Sequence, residues 1–478
     1  MTNRGAVVRR VLVAILAVAA TLAVIGSLQR PAAAPPRART NALGSSLWSM
    51  RSTPQLVTDA VGAQHLQAAL QSQTNGNRAC FVVQDDLGLL ATANADQALT
   101  PASTIKLLTA TAALDTLGPN FHFTTKARAS APPRNGSVDH LYLLGDGDPL
   151  LATPERIAQD QLDPDTAGLP STPLATLADH IKAAGVSEIP GGVVGVDSRY
   201  DRVRYVPEWP ASTRAAIGPI GALTVNDGFS GVAGTGAVAS DPALNAATEL
   251  TRLLTARGVK VGTPSRGDPP QDSADVASID SPLLPMVLTE MLSASDNLSA
   301  EMLVRELGAS AGEGTTTKGT QATLATVKHL GIPTATVTMV DGSGLSSTDA
   351  VPCVTLQAVL ELSHQPKFAP IRDALAIAGQ RGTLATRFAN TALVANLRAK
   401  TGTLTGVSGL AGFLTSDRPL TFSILLNGAF GEATAFALRE TMATTIAGFP
   451  RTTLGPNLVP APNAPIPPRA CPRVEPAC

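Results

Sequence analysis

Pro101-Ala102-Ser103-Thr104-Ile105-Lys106-Leu107-Leu108-Thr109-Ala110 places a serine and a lysine three positions apart at the head of an otherwise apolar run. If Thr104 to Leu117 is helical, Ser103 and Lys106 share one face about a turn apart, and the amine reaches the hydroxyl. A hydroxyl beside an amine that is neutral part of the time is an activated nucleophile. The residues also fit a plainer reading, with Ser103 as a helix cap and Lys106 as a solvated first-turn side chain. Two fixed positions arise about once by chance in a chain this long, so the stretch decides the fold only if other segments supply partners.

At 478 residues the chain is too long for one ordinary core, and two or more domains are expected. Lys and Arg (36) nearly cancel Asp and Glu (37), and no basic stripe carries interleaved aromatics, which excludes nucleic acid as the partner. The six histidines fall in no HExxH spacing and the four cysteines in no CxxC, so neither a metal nor any other cofactor is expected. Cys80, Cys353, Cys471 and Cys478 fit an oxidising compartment and allow three pairings. Arg4, Arg9 and Arg10 precede an uncharged, mainly apolar run from Val11 to Leu28, so residues 1–30 read as a signal peptide or membrane anchor, with the bulk of the chain exported into the cell envelope. Residues 31–51 read as a linker and 451–478 as a proline-rich tail.

Thr53-Pro54 opens a helix from about Gln55 to Gln71, and residues 80–84 and 89–93 read as a hairpin across Asp85-Asp86-Leu87-Gly88. From 123 to 281 short β-like runs alternate with Gly/Pro/Asp turns and with helical patterns near Leu174 to Ala184 and Asp241 to Leu254, which reads as a β-rich domain inserted into another. That other domain combines residues 52–122 with 282–450. Its second part holds apolar periodicity from Pro282 to Leu307, a helix from Gly319 to His329, and adjacent antiparallel strands at 407–414 and 420–426.

Two further polar sets lie in this second part: Ser295-Asp296-Asn297 and Lys400-Thr401-Gly402. Each alone reads as a helix cap or a turn. At about 5% per position each arises only about 0.06 times by chance in this length, and both follow Ser103-Thr104-Ile105-Lys106 in the S-x-x-K, S-D-N, K-T-G order of β-lactamases and penicillin-binding proteins. The chain resembles the D-alanyl-D-alanine carboxypeptidase/endopeptidase family, the class C low-molecular-mass penicillin-binding proteins of peptidase family S13. The resemblance extends to Gly147-Asp148-Pro149, Leu298 with Ala300-Glu301, Asp341-Gly342-Ser343-Gly344-Leu345, Gly382-Thr383-Leu384 and Ala399 to Leu404, and covers about residues 55 to 445. It implies a transpeptidase-like α/β (α+β) fold, an antiparallel sheet flanked by helices. The 192-residue separation of Ser103 and Ser295 leaves room for one complete insert and a reduced or missing second one. After Leu345 the family continues with arginine and then asparagine, whereas Ser346-Ser347-Thr348-Asp349 stands here.

The implied catalytic residues are Ser103 as nucleophile, Lys106 as base, Ser295 as proton relay and Asn297 as a holder of Lys106 or substrate. The N–H groups of Ser103 and Thr403 would form an oxyanion hole. Lys400, Thr401, Gly402 and Thr403 would bind the substrate, Lys400 and the hydroxyls taking its free carboxylate. Burial beside Lys400, with Lys400 as the chief influence, is also expected to depress the pKa of Lys106. The implied partners are peptidoglycan peptides and β-lactams. Two other functions share the motifs. A serine β-lactamase needs a deacylating acid, and no Glu-x-x-x-Asn lies between the second and third sets. An inactive wall-binding scaffold would not need three intact polar sets.

Overall fold

The computed structural model describes residues 53–74, 76–230, 237–416 and 418–450. The expected signal or anchor, the linker, the tail, Cys471 and Cys478 lie outside them. The chain divides at Val61 and Gly62 into two compact units, and of the first only residues 53–61, the opening turns of a helix, are described.

In chain order the principal elements begin with α1 (Thr53–Gln73), the hairpin β1 (Arg78–Asp85) and β2 (Gly88–Ala93), and α2 (Lys106–Thr116). Next come β3 (Thr124–Ala129), β4 (Leu141–Leu144), α3 (Leu174–Ala183), β5 (Val193–Val196), α4 (Pro242–Ala256), β6 (Ser265–Arg266) and β7 (Ala274–Asp280). The chain continues through α5 (Asn297–Ser310), α6 (Thr316–His329), α7 (Cys353–Leu362), β8 (Ala376–Ile377), β9 (Leu397–Leu404), β10 (Val407–Leu414), β11 (Leu420–Asn427) and α8 (Glu432–Ala447).

The main sheet has six antiparallel strands in the order β8-β9-β10-β11-β1-β2. Successive side chains of a strand point to opposite faces, and both faces are apolar. Cys80, Val82, Ala411 and Leu425 meet Leu107 and Leu108 of α2, Leu303 of α5 and Leu356 and Val359 of α7 on one side. Phe81, Val83, Leu410 and Ile424 meet Leu66 and Leu70 of α1 and Met442 and Ile446 of α8 on the other. A sheet between two helical layers is therefore the architecture that this sequence encodes. The pattern at 432–447, where alanines and threonines dilute the apolar stripe, gave no clear helical signal, and α8 is an addition to the elements expected.

Residues 124–280 build a second sheet, β6-β5-β4-β3-β7, over their own core of Leu141, Leu143, Leu177, Ile181, Val193, Leu250 and Leu254. The pairing in this β-rich stretch is mixed. β4 and β5 pair in parallel, as do β5 and β6, and parallel neighbours need a crossover, which α3 provides between β4 and β5 while α4 lies between β5 and β6. The helix at 242 starts where Asp241 accepts a bond from Leu244 N at 3.0 Å.

Cys80 on β1 and Cys353 at the start of α7 form a disulfide across 273 residues. Closing so long a loop restricts the unfolded chain strongly. Replacing both cysteines with alanine should destabilise the protein by about 2–5 kcal/mol, read as a lower Tm with an unchanged circular dichroism spectrum.

Candidate active site

The nucleophile turn differs from the helix expected over Thr104 to Leu117. Residues Ala102–Ile105 form a 3₁₀ turn, and the α-helix begins only at Lys106. A 3₁₀ turn has three residues per turn, so side chains three apart eclipse, and Lys106 Nζ lies 2.9 Å from Ser103 Oγ. The plainer reading of Lys106 as a surface residue fails, because its side chain has no exposure. Its other two partners are Asn297 Oδ1 and the Ser343 carbonyl, both at 2.7 Å.

The second polar set sits at a break between helices. A π-helical turn, Glu290–Ala294, ends at Ser295 in the left-handed region with φ 66°, and α5 begins two residues later, capped by Asp296, which accepts from Ser299 N. Ser295 lines the cleft and Asn297 reaches Lys106 on either side of that single left-handed break, and non-glycine residues in this conformation concentrate at functional sites. Asn297 Nδ2 donates to the Ala216 carbonyl at 3.0 Å, which fixes its Oδ1 toward Lys106.

The third set lies on β9, whose outer neighbour β8 pairs only with Arg398 and Ala399. Thr401 and Thr403, two residues apart, share a face and line a cleft of about 290 Å³ with Ser103, Ser295, Thr383, Arg387, Phe436 and Arg439. Lys400 is fully buried, and its Nζ donates to Ser295 Oγ at 2.7 Å and to the Thr401 carbonyl at 3.0 Å. Gly402 and Gly409 face each other across β9 and β10. A Cβ on Gly402 would stand 2.6 Å from the Pro101 carbonyl, so the absence of a side chain lets the nucleophile turn rest on the sheet. The structure thus brings together Ser103, Lys106, Ser295, Asn297 and the segment from Lys400 to Thr403.

Lys106 is pushed down to about 8, by burial first, against the raising influence of Asp296, Asp341 and Glu301. The expected depressing role of Lys400 is corrected by this: desolvation of the ammonium does the work. The influence between the two amines is felt at Lys400, which is pushed well below the ordinary lysine value by burial, then by Lys106 and Arg439.

Asp341 and Glu301, both within segments that carry the resemblance, support the site, and other supports such as Trp209 and Ala216 had no local signal. Asp341 accepts from Ser343 N, Gly344 N and Ser346 N and from Trp209 Nε1, and Glu301 Oε1 accepts from Gly342 N and Ser343 N. These bonds hold the turn that aims the Ser343 carbonyl at Lys106. Asp349, where the implied family loop differs, accepts from Val340 N and is pushed up to about 10 by burial and by Asp341, so it stays protonated. Trp209, Ala216 and Asp165, which also lines the cleft, come from the inserted stretch. That stretch also grips α5 through Arg199 and Tyr200 on Glu306 and through Asp201 on the buried Arg305. Among the described residues no group of three or more His, Cys, Asp or Glu side chains could hold a metal ion.

The sequence matches the D-Ala-D-Ala carboxypeptidase 3 (S13) family over residues 63–236 and 230–448. The chain belongs to this family. A D-alanyl-D-alanine carboxypeptidase of Actinomadura sp. (strain R39) is 30% identical over 437 residues, covering 73% of this chain and 77% of the relative. A carboxypeptidase of Mycobacterium tuberculosis is 33% identical over 349 residues, covering 70% and 72%. The crystal structure of penicillin binding protein 4 from Haemophilus influenzae superimposes with a TM-score of 0.66 at 22% identity over 78% of this chain and 98% of that one, and the same protein complexed with a β-lactam gives 0.61. These overlays show the transpeptidase-like fold of this S13 carboxypeptidase chain.

The contact between Gly402 and the nucleophile turn can be tested directly. Gly402→Ala should leave the chain folded, cost about 1–3 kcal/mol of stability through overpacking, and slow Ser103 acylation by a fluorescent penicillin, as measured by gel-based time courses.

Proposed function

We propose that the protein is a serine D,D-carboxypeptidase that removes the terminal D-Ala from peptidoglycan stem peptides through an acyl-enzyme on Ser103. D,D-endopeptidase cleavage of cross-links and covalent capture of β-lactams use the same serine. The Actinomadura relative's name and the β-lactam complex of the Haemophilus protein support the substrate and inhibitor classes.

One observation carries the mechanism: Lys106 Nζ has three oxygen partners, and two of them, Asn297 Oδ1 and the Ser343 carbonyl, can only accept. A neutral amine spends its two hydrogens on those oxygens. Its lone pair is then left for the Ser103 hydroxyl, which is the disposition of a general base. With a pKa of about 8, roughly a tenth of the molecules hold Lys106 neutral at pH 7.

In the first step Ser103 Oγ bonds to the carbonyl carbon of the D-Ala-D-Ala peptide bond and its proton passes to Lys106. The N–H groups of Ser103 and Thr403 stabilise the oxyanion, and the dipoles at the start of the nucleophile helix add to this. Ser295 hands a proton to the departing amine as the C–N bond breaks. Ser295 Oγ accepts from Lys400, which leaves its own hydrogen to donate and puts Lys400 where it can replace that proton. Once Lys106 has released the proton it took and Lys400 has regained one, both by exchange with solvent, water attacks the acyl carbon; Lys106 takes the water's proton and returns it to Ser103 Oγ as the acyl–oxygen bond breaks.

In this reading residues 52–122 and 282–450 form the catalytic domain and 123–281 an inserted domain that buttresses it. The substrate lies outside the cytoplasm, which agrees with an export signal or anchor in residues 1–30. Among the described residues no helix is long and apolar enough to cross a membrane.

Ser103→Ala should lower D-Ala release from an N-acylated peptide ending in D-Ala-D-Ala by about 10⁴-fold or more and abolish the penicillin adduct, with Tm unchanged; persistent release would remove Ser103 as nucleophile. Because the neutral amine is the active form, kcat/KM should rise about tenfold per pH unit below 8 and level off above it; a rate that falls through this range would contradict a Lys106 base. Nitrocefin should acylate and turn over slowly, whereas rapid sustained turnover would mark a β-lactamase.

A further inference from the structure

The carboxylate of a peptide ending in D-Ala needs a cation, and Lys400 is poorly placed to supply it. Its side chain is fully buried, its Nζ is engaged by Ser295 and the Thr401 carbonyl, and it does not line the cleft. Arg439 does line the cleft. It is 4% exposed and rises from α8 with its guanidinium 4.4 Å above the Phe436 ring. Its Nη1 donates to Thr403 Oγ1 at 2.7 Å and to the Gly402 carbonyl at 3.4 Å. Among the described residues no carboxylate forms an ion pair with Arg439, although Glu432 and Glu440 of the same helix act on it from further away. Glu440 is itself paired with Arg387 at 3.2 Å. Burial and Arg387 push Arg439 down to about 10. A buried cation without a counter-charge is costly unless an anionic ligand completes it.

The hydrogen bonds point the same way. A guanidinium only donates, so Thr403 Oγ1 accepts from Arg439 and its own hydrogen remains to be given to another acceptor. The neighbouring Thr401 hydroxyl shares a bond of 2.9 Å with Thr383. A charge and an outward-directed hydroxyl thus stand side by side on the wall of the cleft that holds Ser103.

We infer that Arg439 is the specificity-determining cation for the substrate's terminal carboxylate, which it receives together with the Thr403 hydroxyl. The inference rests on the D,D-carboxypeptidase reading. It assigns Lys400 to the proton chemistry at Ser295 and gives the selection of a free chain end to a residue of the last helix.

The test compares two N-acylated peptides, one ending in D-Ala-D-Ala as the free acid and one as its C-terminal amide, with wild type, Arg439→Gln and Arg439→Lys, each checked for wild-type Tm. The wild type should prefer the acid. Arg439→Gln should lose about 10²-fold in kcat/KM on the acid, mainly through KM, while changing the amide less than about twofold. Arg439→Lys should keep most of the preference, with a loss of several-fold on the acid alone because the forked geometry is gone. If the glutamine variant does not fold, this acid-only loss in the lysine variant decides the matter. Equal losses on both peptides would make Arg439 merely structural, and an undiminished preference in Arg439→Gln would place the carboxylate elsewhere; either outcome overturns the inference. If the wild type cleaves neither peptide, the parent reading falls and this one with it, whereas failure of the inference alone leaves wild-type D-Ala release intact.

Discussion

An ammonium withdrawn completely from water is the constraint on which the rest of this site depends. Lys106 can be buried only because three oxygens surround it, and each of those oxygens is fixed by something more distant. Ser103 is set by the 3₁₀ turn, Asn297 by the left-handed break before α5 and by Ala216, and Ser343 by the carboxylates of Asp341 and Glu301. Removing any support would leave a buried polar group unmatched. The same burial that needs these partners also lowers the proton affinity of the amine, so structural cost and chemical use come from one source.

The two lysines divide the proton traffic by their partners. Lys106 faces acceptors that cannot release hydrogen, so its lone pair is committed to the nucleophile, while Lys400 faces a hydroxyl that can accept and donate in turn. Their mutual repulsion falls unevenly because Lys106 is compensated by nearby carboxylates, whereas Lys400 has a second cation, Arg439, among its influences. Charge is thus graded across the cleft from an acid-supported base to an unpaired guanidinium.

Much of this was legible in the sequence, for a physical reason. The three polar sets are local: a hydroxyl and an amine three apart, or a lysine followed by two residues that tolerate close packing, announce themselves within four positions. The strands at 407–414 and 420–427 and the hairpin at 78–93 were readable through length, glycine punctuation and alternation. What was not legible depends on sequence-distant contacts. Trp209 reaches Asp341 across 132 residues and Arg439 reaches Thr403 across 36, and neither leaves a spacing rule behind. The 3₁₀ geometry at Ser103 was hidden too, since a serine and lysine three apart suit either helix. The direction of the pKa shift at Lys106 was legible, but Lys400 was expected as its chief cause, because the depth of burial that outweighs it is a tertiary property.

The order of strands in the main sheet also governs when activity can exist. β1, made near the start of the chain, takes β11, made near its end, as a neighbour, so the central pairing waits for almost the whole polypeptide. Such non-local pairing raises contact order and slows folding. No amino-terminal fragment holds a cleft, and a nascent chain carries a nucleophile turn with no sheet beneath it. Competence arrives late and all at once, so hydrolysis waits for a finished chain.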